Sequence, residues 1–63
     1  MNKLKKMRLD RGLRQVDLAV MSNVGATTIW LIEQGFEKRA SEKTKRKIAS
    51  ALKVSVKDIF SEN

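Results

Sequence analysis

Residues 15–35 read QVDLAVMSNVGATTIWLIEQG. The stretch divides into two short helices joined by a tight turn. Leu18 and Ala19 open an apolar stripe, Val24 follows it, and Ile29 and Ile32 close it. Between them sit Ser22, Asn23 and Gly25, residue types that break or cap helices. Asn tolerates the left-handed conformation that a sharp helix–helix turn needs. Gly25 suits an N-cap, although it caps less well than Ser or Thr. The second of the two helices, 26–34, stops at Gly35, a residue fitted to the left-handed position after a helix.

Outward from this stretch the pattern stays helical. Asn2 can cap a first helix running to about Arg11, with Leu4 and Met7 facing inward and Arg8 beside them. Gly12 ends that helix, and Leu13 is expected to pack back onto the core. Leu9 falls off the inward stripe and is either rim packing or exposed. Arg14 precedes the second helix, which runs from Gln15 to Met21 or Ser22. Downstream of the third helix, residues 36–40 (FEKRA) form a connecting loop, basic at Lys38 and Arg39. Ser41 caps a fourth helix, about 42–53, whose clear apolar face is Ile48, Ala49 and Leu52. Lys43, Lys45, Arg46 and Lys47 crowd its beginning, where the helix dipole disfavours cations; a nearby phosphate would offset the repulsion. Val54 leads to Ser55, which starts a short fifth helix, 56–60. Ser55-Val56-Lys57-Asp58 resembles a capping box with Asp in place of Glu. Ile59 and Phe60 are expected in the core, and residues 61–63 are expected to fray. No repeat, low-complexity segment or linker is visible. The reading is all-α, five short helices in one domain over 1–63.

Composition narrows the function. The 63 residues contain no cysteine, histidine or proline. No thiolate or imidazole is therefore on hand to bind a metal, and the commonest general base is missing. A domain of this length buries only about 60% of its unfolded surface, which leaves it marginal alone. The formal charge is +7. Such a field suits nucleic acid or an anionic membrane, or simply keeps a small domain soluble. No apolar run approaches the roughly 20 residues of a membrane span, and no secretory signal follows the basic start. The expectation is a cytoplasmic protein without membrane association, cofactor, metal or small-molecule ligand.

Several residues, taken in order, resemble the helix-turn-helix of the phage-repressor and Cro family, also called Xre-type regulators. Gln15 opens the motif (about 15–34), and Ala19 is the small residue where its two helices cross. Val24 and Ile29 fill the corner. Glu33-Gln34-Gly35 stands where the family usually has Glu-Asn-Gly. Arg8 and Gly12-Leu13 match upstream; Ala51-Leu52-Lys53-Val54-Ser55 and Asp58-Ile59-Phe60 match downstream. The match covers nearly the whole chain. It implies a lambda-repressor-like fold and a sequence-specific double-stranded DNA-binding transcriptional regulator, a repressor of bacterial or phage type. One departure is that the family usually has aliphatic residues where Glu42, Lys45 and Arg46 stand. That argues against the early part of the fourth helix as a core element.

At about 100° per residue, Ile29, Ile32 and Glu33 share the inward face of the third helix, while Ala26, Thr27, Trp30 and Leu31 point away. Such a helix fits the major groove. The resemblance implies base reading at Ala26, Thr27, Thr28 and Leu31, with Trp30 at the rim. This face is largely apolar, which favours contact with thymine methyl groups. Outward Trp30 and Leu31 equally suit packing on another helix or on a second protein, as in an antitoxin or adaptor module. Gln15 can reach a base edge or a phosphate, or serve only helix propensity. Arg14, Lys38, Arg39, Lys43 and Lys45 are candidate phosphate contacts, although for any single lysine a solvated role is as good a reading. The resemblance also implies a partly buried, structural pair between Arg8 and Glu33. A single carboxylate without histidine, cysteine or a second acid makes a poor enzyme site. Small size favours a homodimer, formed on a near-palindromic operator. Its expected contact is residues 53–60, with Val56 the apolar residue least needed by the core.

Overall fold

The computed structural model describes residues 2–60; the expected fraying of 61–63 lies outside them. Five α-helices follow one another: α1 (Lys3–Asp10), α2 (Gln15–Ser22), α3 (Ala26–Glu33), α4 (Glu42–Leu52) and α5 (Val56–Phe60). A 3-10 turn, Glu37–Arg39, shapes the connection between α3 and α4, where the sequence pattern suggests a plain loop. No strand is present among the described residues.

Helices of eight residues have little stability of their own in water. They persist here because each contributes to one core. Leu4, Leu18, Ile29, Ile32, Ile48 and Leu52 are fully buried, so α1 to α4 all reach the centre. Ile59 and Phe60 add α5 to it, and Ala40 packs in from the connection. Met7, Leu13, Val24, Val54 and Val56 close its edges.

The corners explain the boundaries. Asn2 accepts a hydrogen bond from the Lys5 amide and starts α1. Ser41 does the same for α4 through the Thr44 amide. α1 to α4 each end on a left-handed residue: Gly12, Asn23, Gly35 and Lys53. At every one of these ends the following amide reaches back five residues. Leu13 N bonds Arg8 O, Val24 N bonds Ala19 O, Phe36 N bonds Leu31 O and Val54 N bonds Ala49 O. This is the Schellman arrangement, in which an apolar residue after the turn folds back onto the helix it ends. Leu13, Val24 and Val54 do so. Phe36 does not, and is 53% exposed.

The buried residues of α4 are Ile48, Ala49 and Leu52, so its early part adds nothing to the core itself. It meets the edge of the core at Lys45, which is half-buried with its Nζ 5.4 Å from the centre of the Phe60 ring. It does so through a long lysine stem, which covers apolar surface while its charge stays in water. Val56 is half-buried at the edge of the core, whereas Ile59 and Phe60 are buried in it; the i, i+3, i+4 spacing puts all three on one face of α5.

Candidate nucleic-acid interface

The site depends on how α3 is held. Its inward Glu33 is buried, and the Arg8 guanidinium meets it with two bonds: Nε to Oε2 at 2.6 Å and Nη2 to Oε1 at 2.9 Å. Arg8 Nη1 also donates to the Leu13 carbonyl at 2.7 Å. Gln15 Nε2 donates to Glu33 Oε1 at 3.0 Å. One carboxylate therefore fixes α1, the turn after it, the start of α2 and the end of α3. Burial alone would raise the Glu33 pKa; the hydrogen bonds from Arg8 and Gln15, with the Arg8 charge, outweigh it and hold the carboxyl below its ordinary value. Asn2 adds a further tie, with Nδ2 donating to the Ile32 carbonyl at 2.7 Å.

With its inner face committed, α3 turns the rest outward. Ala26, Thr27 and Trp30 are exposed, and Thr28 and Leu31 are half-buried. Gln34 is exposed as well, and sequence reasoning passed over it. The signal was available: on a helical wheel Gln34 falls between Thr27 and Trp30.

The start of α2 holds a feature that no local pattern suggested. Arg14, at the N-cap position, donates from its backbone amide to Asp17 Oδ2 at 2.8 Å. Its guanidinium also pairs with Asp17, Nη2 to Oδ1 at 2.8 Å and Nε to Oδ2 at 2.9 Å. The side-chain and backbone bonds from Arg14 bring the Asp17 pKa down to about 2. Arg14 thus remains outward but already has a carboxylate partner. Gln15, placed on Glu33, has one N–H of its side-chain amide used inside the fold.

The remaining cations separate into groups. Lys38 and Arg39 are exposed on the 3-10 turn directly after α3. Lys43 is exposed on the first turn of α4, whereas Lys45 faces the Phe60 ring.

Such an arrangement defines a small helical domain that presents one short helix, rigidly backed, above a basic turn. A family model described as helix-turn-helix matches residues 4–59, and the chain belongs to this Xre/Cro-like helix-turn-helix family. The family is one of DNA-binding transcription regulators, typically without enzymatic activity, and implies double-stranded DNA as the ligand. No curated protein and no solved structure matches the chain significantly. Among the described residues, no helix is long and apolar enough to cross a membrane.

Proposed function

We propose that the chain is a sequence-specific repressor of transcription that lays α3 in the major groove of its operator. The observation that carries this reading is the Arg8–Glu33–Gln15 network. It fixes the inner side of α3 and leaves Thr27, Trp30 and Gln34 projecting from the opposite side. An unsupported eight-residue helix could not hold side chains in register with base edges. In this reading Ala26, Thr27, Thr28, Trp30 and Leu31 contact bases, and Gln34 joins them. Gln15 reaches the DNA through the part of its amide not bound to Glu33. Arg14, Lys38, Arg39, Lys43 and Lys45 meet phosphates, Lys38 and Arg39 with the least competition from other partners. The protein works as a homodimer on a near-palindromic operator in the cytoplasm.

Selection from a pool of randomised duplex DNA tests the reading. Enrichment of one short motif is expected, with log K falling by about 0.9 per neutralised phosphate as log salt rises. The exposure of Trp30, 47%, favours a second reading, an antitoxin or adaptor module that binds protein. A pool that enriches nothing, together with a partner whose binding ignores salt but fails with Trp30→Ala, would establish that reading instead.

A further inference from the structure

The outward face of α4 is strongly basic and has no partner inside the fold. Lys43, Arg46 and Lys47 share it with Ser50, and Lys53 continues it past the helix end; together with Met21 of α2 they line an open groove. The ion pairs among the described residues are Lys6–Asp10, Arg8–Glu33 and Arg14–Asp17, so none of these four cations meets a carboxylate. Lys43 and Lys47 stand one turn apart, as like charges that repel. Lys43 lies in the first turn of the helix, where the dipole opposes cations. Glu42 is the one acid on α4, against four cations on the same helix.

We propose that Arg46, Lys47 and Lys53 of this face, beyond the Lys43 assigned to the operator, form a second phosphate-binding surface, which takes the backbone of a second DNA segment while α3 holds the operator. The inference goes beyond the operator reading. α2 packs against both α3 and α4, and the basic groove runs along α4 beside Met21 and Ser22 of α2, with no residue of α3 lining it. From Arg46 to Lys53 the chain advances about 10 Å, about three nucleotide steps along the duplex axis. The donors available are ammonium, guanidinium and hydroxyl groups, all of which bind phosphate oxygens. The apolar surface in the groove is Met21 and half-buried Ala51. That is a small anchor beside the roughly 800 Å² per partner of a stable protein interface, so nucleic acid is the better occupant than an acidic protein.

The test immobilises the selected operator duplex, saturates it with the full chain and adds a fluorescent 20-base-pair duplex of unrelated sequence. Capture of the second duplex is expected at low salt. In the variant carrying Arg46→Glu and Lys47→Glu, capture should fall at least tenfold while operator affinity stays within about twofold. Absence of capture by the parent chain would overturn the proposal. So would capture that the variant retains, which would come from paired subunits, or capture released equally well by poly-glutamate, which would mark a general acidic-partner surface. If selection enriches no motif, the operator reading fails by itself, and two randomised duplexes in the same assay still decide the role of α4.

Discussion

Replacing Arg8 with alanine would leave the Glu33 carboxylate buried with the Gln15 amide as its remaining side-chain partner. Stranding a buried charge costs about 3 kcal/mol. In a domain this small that lowers the melting temperature by roughly 15 °C; an unchanged melting curve would mean the pair adds nothing to stability. Acidification should act through the same carboxylate. The Glu33 pKa is lowered in the folded chain, so its contribution is complete above the ordinary glutamate range and is lost as pH falls through the lowered value. Asp17, held at about 2, follows the same sign, its contribution being lost as pH falls through that value. Thermal melts from pH 7 downward should therefore be level at first and then decline. Glu33→Gln should remove part of that decline, and a parallel pair of curves would show that other acids cause it. The inward placement of Arg8 and Glu33 was readable from helical periodicity, because each lies on an apolar stripe. The Gln15 and Asn2 contacts were not, since their partners lie 18 and 30 residues away and no local spacing marks them.

The ends of the helices were the most legible part of the chain. Asn2, Gly12, Asn23, Gly25, Gly35 and Ser41 each act where their backbone or side-chain chemistry suggests, and boundaries agree with the sequence reading to within a residue or so. Lys53 is different, because nothing about lysine announces a left-handed residue, yet it has φ +58° at the end of α4. A side chain with a Cβ is strained there, by about 1 kcal/mol relative to glycine. Lys53→Gly should accordingly stabilise the fold by about 0.5–1 kcal/mol, read from the shift in the denaturant midpoint at constant slope. A loss of stability would indicate that the lysine stem packs usefully enough to outweigh the strain. The 3-10 turn was less legible: FEKRA carries no Gly or Pro, and only Ala40 is drawn into the core. Its exposed cations follow α3 directly. Lys38→Ala or Arg39→Ala should weaken binding about equally on all sequences and flatten the salt slope by about one unit per contact. A changed base preference with an intact salt slope would move that residue from the phosphates to the bases.

The molecule measures 27 × 20 × 20 Å, about the width of a DNA duplex, and α3, the proposed reading helix, is eight residues long. One such helix contacts only a few base pairs, too few to single out a site among many competitors. Two copies related by a two-fold axis solve the problem if their reading helices fall about 34 Å apart, one turn of DNA. Residues 53–60 were the expected pairing surface, but Val56, Ile59 and Phe60 turn toward the subunit's own core. What they leave exposed is Lys53, Ser55, Lys57 and Asp58, a polar surface that supports weak contacts only. The free chain should therefore sediment as a monomer at concentrations on the order of 10 µM, where polar contacts of this size do not hold. On the operator, each bound subunit places the next at a high effective concentration, so weak contacts suffice. The expected result is two chains per duplex by mass, a symmetric footprint, and binding steeper than a single-site curve. Moving the half-sites apart by five base pairs would rotate them to opposite sides of the helix and should abolish that steepness. A single chain on an asymmetric footprint, or cooperativity indifferent to half-site spacing, would exclude pairing across a two-fold axis.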